Sequence, residues 1–192
     1  MTDGRLVKLW LESVLSMESS GHKMSIVTLV CDTGDRQLTF VCDSYIRDQF
    51  FLRDSSEMKH DCERMLPEVL LQLLSYNRPT ELKNLRMVIY AVEESEYKTE
   101  IEDLNNSHSF QIRLSDAVLL NRISKIPLYV VSDILDKQGT PYSKDDIYTK
   151  AMPINVLPVE QLEEALKKAV DDEDYRLAKV LSDELKKRKR KE

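Results

Sequence analysis

The sequence predicts an α+β protein, with mixed, mainly antiparallel sheets and packed helices followed by a C-terminal helical hairpin. Three observations point there. Short β-rich runs broken by turn residues fill residues 5–42 and 85–114, apolar residues fall at helical spacing between 63 and 76, and beyond residue 158 the apolar period is helical only. The divisions that follow are an α+β domain over residues 1–150, a linker over 151–158 and a hairpin with a basic tail over 159–192.

From Arg5 to Cys42, Val7, Leu9 and Leu11 alternate with Lys8 and Glu12, MSIVTLVC is a β-rich run, and DTGD supplies a turn before RQLTFVC. An antiparallel meander is the simplest arrangement. Residues 43–62 are polar and mixed. In ERMLPEVLLQLLSY, residues Leu66, Val69, Leu70, Leu73 and Leu74 share a helical register, Pro67 fits the first turn, and Arg78 and Pro79 mark the stop. Three strands come next. LRMVIYAV (85–92) is apolar on both faces and so central, YKTEI alternates, and FQIRL places Phe110, Ile112 and Leu114 on one side.

The stretch RLSDAVLLNRISKIPLYVVSDILDKQG, beginning at Arg113, packs helix, strand and helix signals closely. Ser115 can accept from the free N–H groups of the next turn, Asp116 suits the positive end of the helix dipole, and Pro127 ends the helix before PLYVV. Strand, helix, strand in so few residues predicts a right-handed parallel crossover. Ser132 and Asp133 repeat the capping pattern before ILDKQG. For Asp116 both a capping role and a ligand role stay open. Residues 151–158, AMPINVLP, carry two prolines and read as the linker. Then Leu162, Ala165, Leu166, Ala169 and Val170 line one helix, DDED marks the turn, and Tyr175, Ala178, Leu181 and Leu185 line the second. Helices this short are marginal alone, so their stripes meet each other, a second chain or a partner.

Composition narrows the chemistry. Four glycines leave no Gly-rich phosphate loop, and G-x-S-x-G and H-E-x-x-H are absent. Cys31, Cys42 and Cys62 form no Cys-x-x-Cys pair and are expected to be buried free thiols. With no long apolar run and no leader-like start, the chain is expected to be cytoplasmic with no membrane partner. Residues 186–192 (KKRKRKE) hold six bases and one acid, leaving 22 bases against 33 acids on the rest. Such a body repels phosphate backbones unless its acids hold cations.

Ser115, Asp116, Ala117, Pro127, Ile134, Leu135, Asp136 and Gly139, with Arg36, Gln37 and Leu38 upstream, resemble the bifunctional nuclease (BFN) domain over roughly residues 5–142. LEEALKKAVDDEDYRLAKVLSDELKKR resembles the UVR motif, a helical hairpin by which excision-repair and chaperone-adaptor proteins contact partners. The first resemblance implies divalent-metal-dependent cleavage of DNA and RNA. Where that family commonly has Arg-Pro-Leu-Thr-His-Asp, residues 64–69 read RMLPEV; Leu114 stands where a proline often precedes Ser115, Cys42 and Asp43 replace a glycine, and Ser182 replaces an arginine of the hairpin.

Metal-assisted hydrolysis needs converging oxygen ligands. Asp116, Asp133 and Asp136, near two helix starts, are the candidate ligands for magnesium or manganese, with Glu68 as a further carboxylate. Asp116, Glu68, Arg113 and Ser115 are the candidate catalytic residues. The bland alternative is that Asp133 and Asp136 solvate a short helix. His60 and Asp61 are the nearest His-Asp pair and read as a surface pair; His22 and His108 sit in predicted turns. KKRKRK can grip nucleic acid or complement a helix C-terminus. Tyr45, Phe50 and Phe51 form either a stacking platform with Arg47 and Arg53 or the buried face of a helix. Two functions result. One is a nuclease acting on DNA or RNA. The other is a catalytically degenerate adaptor, its partner held through Leu162, Leu166, Ala169, Tyr175, Ala178, Leu181 and Leu185. A homo-oligomer is expected in either case.

Overall fold

The computed structural model describes residues 4–19, 22–77, 81–94, 96–142, 159–171, 173 and 175–189. The chain divides into two compact units, Met1–Tyr148 and Thr149–Glu192. The proposed linker, 151–158, lies outside the described residues, as does the stop at Arg78 and Pro79.

The first unit is an α+β fold built on one eight-stranded sheet. Strands β1 (Leu6–Ser19), β2 (His22–Cys31) and β3 (Arg36–Asp43) form the expected meander, turned between β2 and β3 at Gly34, whose φ of 73° suits a residue without a Cβ. Helices α1 (Ser44–Asp54), α2 (Lys59–Cys62) and α3 (Leu66–Asn77) follow, then a 3-10 turn (Glu81–Asn84). A second meander comprises β4 (Leu85–Glu93), β5 (Glu96–Asp103) and β6 (His108–Arg113). Helix α4 (Leu114–Ser124), strand β7 (Leu128–Val131), helix α5 (Ser132–Gln138) and the two-residue β8 (Thr140–Pro141) complete the unit. The strand order is β6-β5-β4-β7-β1-β2-β3-β8.

Strand β7 joins the two meanders. It runs parallel to β4, pairing Met87 with Leu128 and Ile89 with Val130, and antiparallel to β1, pairing Leu6 with Val131. The crossover expected from strand, helix, strand is therefore present but longer than its sequence suggests, since β5 and β4 lie between β6 and β7. Strand β4 carries Met87, Val88 and Ile89, all buried, so an interior place between two neighbours stabilises it more than an edge would. Strand β6, with Phe110 63% exposed, is left at the edge.

The core gathers Leu9, Leu29, Leu38, Ile89 and Leu128 from the sheet with Phe50 of α1, Ala117 and Val118 of α4, and Leu135 of α5. Helix α1 bears out the helix offered as one reading of the stretch around Tyr45, Phe50 and Phe51 within the polar residues 43–62. Asp43 accepts a hydrogen bond from the Ile46 backbone N–H at 2.8 Å, and Ile46 and Phe50, four apart, are buried. Only two side chains in eleven residues, Ile46 and Phe50, are buried, which is why periodicity gives this helix so weak a signal. Phe51 and Tyr45 stay exposed, so the aromatic trio is neither a buried face nor a platform free to stack with Arg47 and Arg53: Arg47 pairs with Asp48 and Arg53 with Glu68.

The helix caps differ from those expected. Helix α4 begins at Leu114 with Arg113 as N-cap, and α5 begins with Val131 as N-cap; neither cap makes a side-chain hydrogen bond. Ser115 and Ser132 lie inside the helices instead, because the buried residues Leu114 and Val131 fix where each chain leaves the sheet. Asp116 and Asp133 remain acids of the first turns, favourably placed in the dipole field.

The second unit contains helices α6 (Val159–Asp171) and α7 (Tyr175–Lys189). No helix among the described residues is long and apolar enough to cross a membrane.

Candidate functional site

The hairpin is built from its apolar spacing upward. Leu162 and Ala169 of α6 and Ala178, Leu181 and Leu185 of α7 are buried together, with Val159, Ala165 and Leu166 packed around them. Ala169 and Ala178, Leu166 and Leu181, and Leu162 and Leu185 lie at matching distances from the turn. Alanines thus stand next to the turn and leucines further from it. Glu173, at a φ of 58°, reverses the chain; its N–H donates to the Val170 carbonyl at 3.1 Å.

Of the seven residues expected to hold a partner, five are thus the hairpin's own seam. Leu166 is half-buried and Tyr175 is 69% exposed. Val170, 49% exposed, joins Tyr175 at the turn end with the exposed acids Asp171 and Glu173. Lys186, at the far end of the described part of α7, lies 3.9 Å from Asp183.

The acids of the first unit are placed differently from what their spacing suggested. Asp116 lies in the first turn of α4, where Arg113 donates from Nε to Oδ2 at 2.6 Å and from Nη2 to Oδ1 at 3.1 Å. That hydrogen bond holds the Arg113 guanidinium even further above its usual range. Asp133 is exposed in the first turn of α5. Asp136 lies 3.9 Å from Arg36. Strands β6 and β7, which lead into these two helices, are three places apart, roughly 14 Å at ordinary interstrand spacing. The structure does not bring Asp116 to Asp133 and Asp136. Glu68 is further engaged: Arg53 grips it from Nε at 2.6 Å and from Nη2 at 3.1 Å, and both side chains are nearly buried. Among the described residues no three His, Cys, Asp or Glu side chains group as a metal ion would need. The donor set among the described residues does not fit the divalent ion that the BFN resemblance implies. Ser115 stands beside Asp116, half-buried.

Several residues that carry that resemblance have fold-building work. Arg36 donates from Nη2 to the carbonyls of Gly139 at 2.8 Å and Asp136 at 3.1 Å, satisfying the last turn of α5. Gln37 reaches Thr140, and a Cβ on Gly139 would come within 2.4 Å of the Leu135 carbonyl oxygen. Leu38, Ala117, Ile134 and Leu135 are core. Sequence reasoning missed both the Arg53–Glu68 clamp and the Arg36 cap, because partners 15 and 103 residues apart leave no local spacing to read.

Neither described histidine nor any cysteine lies in a reactive setting. His60 pairs with Glu63 on the surface, and the exposed His108 ring meets the Asn106 carbonyl oxygen. The side chain of His22 lies outside the described residues. All three cysteines are buried and free, and burial pushes the Cys42 thiol up to about 11, far from a poised nucleophile.

Residues 158–191 match the UVR family, described as the UvrB/uvrC motif. No curated protein matches the chain.

Proposed function

We propose that this chain is an interaction protein, whose C-terminal hairpin docks a protein partner at its turn end while the α+β unit serves as scaffold. The observation that carries this reading is that α6 and α7 satisfy each other's apolar stripes and still leave Val170 and Tyr175 exposed among acids. A preorganised hairpin loses little entropy on binding, and an aromatic anchor beside an aliphatic side chain is typical of residues that dominate interfaces. The match to the UvrB/uvrC motif supports a partner from a DNA-related assembly.

The competing reading is the metal-dependent nuclease, supported by the resemblance of Ser115, Asp116 and their neighbours to the BFN domain. Against it stand the pairings of Asp116, Glu68 and Asp136 with arginines on their own unit. Under the adaptor reading this unit is catalytically degenerate.

One experiment separates them. Full-length protein carrying a photo-crosslinking residue in place of Tyr175 is irradiated in nuclease-treated cell extract. The expected result is discrete protein adducts that vanish with Leu181→Asp. Adducts indifferent to that substitution would overturn the adaptor. In parallel, single- and double-stranded DNA and RNA are incubated with magnesium, manganese or chelator. Metal-dependent cleavage lost in Asp116→Ala would establish the nuclease instead.

A further inference from the structure

Helix α3 is amphipathic, yet it is turned the wrong way round for a helix on a monomer. Its least exposed positions are Glu68 and Leu71, whereas Leu66 is 70% exposed, Leu70 49%, Leu73 53%, Leu74 51% and Tyr76 88%. At 100° per residue these five fall on one side of the helix. The orientation is enforced. Glu68, the only charged residue of α3, is drawn inward by the bidentate Arg53, which also donates to the Gln49 carbonyl at 3.0 Å and side-chain oxygen at 2.8 Å. Rotating α3 to bury its leucines would break that clamp and strand a charge.

We propose that the outward face of α3 is where a second copy of this chain docks, two α3 helices packing against each other about a two-fold axis. Charge supports a second copy over another partner. A two-fold contact lays a surface on itself, so any charge near the axis meets its own sign, and this chain carries 34 acids against 28 bases. The α3 face carries none, which suits self-contact and offers nothing to select a charged partner. Size agrees. The face presents on the order of 500 Å² of apolar surface, at the upper end of what monomers leave exposed. Two copies would bury on the order of 1,000 Å², the threshold of a specific interface. The proposal is independent of what the hairpin binds.

The test is the solution mass of the full chain by light scattering and sedimentation. Wild type is expected at twice the 22.4 kDa chain mass, and Leu70→Glu/Leu74→Glu at half the wild-type value with an unchanged far-ultraviolet spectrum. A monomeric wild type at every concentration overturns the proposal, as does a folded double variant that remains dimeric. Should the double variant misfold, Leu70→Cys and Leu73→Cys replace it. The native thiols are buried, so a short bis-maleimide should link two copies through the new cysteine in one or both variants. Failure of both to cross-link a dimeric protein would place its interface elsewhere and overturn the assignment.

Discussion

Helix α3 and the hairpin pair α6 and α7 carry the same kind of apolar stripe and use it in opposite ways. The hairpin turns Leu162, Leu181 and Leu185 inward until each is essentially buried, while α3 turns Leu66, Leu70, Leu73 and Leu74 outward. The difference lies in what each helix has behind it. Helices α6 and α7 meet complementary stripes at short sequence separation. Behind α3 stands Arg53, and a nearly buried guanidinium requires its carboxylate more than a leucine requires cover. Periodicity therefore identifies a face, and the charges around it decide which way that face looks.

The largest expected effect comes from removing that charge. Glu68→Ala leaves Arg53 nearly buried without its anion, at a cost of about 3–5 kcal/mol. In chemical denaturation the midpoint of the first unit should fall steeply, and α3 should lose amide protection first. An unchanged midpoint would mean that α3 is held by something other than the clamp.

Next is a matched pair of leucines. Leu181→Ala removes a side chain 1% exposed from a small core and should cost about 3 kcal/mol, enough to unfold a two-helix element of this length. Leu70→Ala, at 49% exposure, should cost under about 0.5 kcal/mol in the monomer. Helical signal and hydrogen exchange read both. Equal losses would erase the contrast between the two stripes.

Much of the fold was legible in the sequence, and the reasons for the rest are local. The two meanders, α3, α4, the crossover and the hairpin follow from runs of Val, Ile and Leu whose period is plain. Helix α1 was legible only as one of two readings, because Ile46 and Phe50 alone are buried and the remaining positions mimic a loop. The site was less legible. Asp116, Asp133 and Asp136 look alike on paper as acids at or near helix starts, but β5 and β4 lie between β6 and β7 and set Asp116 apart from the other two, and strand order is a long-range property. The hairpin residues were named correctly as a stripe, although most of them serve the stripe's own partner helix.

Alkaline pH should sharpen the contrast between the two units by a smaller amount. Burial pushes the Cys42 thiol up to about 11 and the Tyr97 hydroxyl up to about 12, both in the sheet unit. Their folded pKa values exceed the unfolded ones, so the fold favours the neutral groups. The associated stability is fully present below about pH 9 and is lost as pH rises towards 11 and 12. A tenfold change in proton affinity is worth about 1.4 kcal/mol, so the buried Cys42 thiol contributes on the order of 2 kcal/mol. Cys42→Ala should flatten the fall in midpoint between pH 9 and 11, and iodoacetamide should label native Cys42 only as pH nears 11. The hairpin's core holds neither a thiol nor a phenol, so this source of slope is confined to the sheet unit.

A small and salt-sensitive effect belongs to Asp116, the acid at the mouth of α4. Arg113 and Asp116 form an exposed pair, the arginine side chain 68% accessible, so solvent screens the interaction and Asp116→Asn should cost under about 1 kcal/mol. Most of that is the favourable placement of a carboxylate in the first turn of α4, which asparagine lacks. Adding salt should therefore narrow the gap between wild type and variant, whereas the loss caused by Glu68→Ala, in a nearly buried pair, should hardly respond to salt. A large, salt-insensitive loss for Asp116→Asn would show that this carboxylate has a second, unscreened partner in solution. The role of the acid in α4 would then have to be rebuilt around that partner.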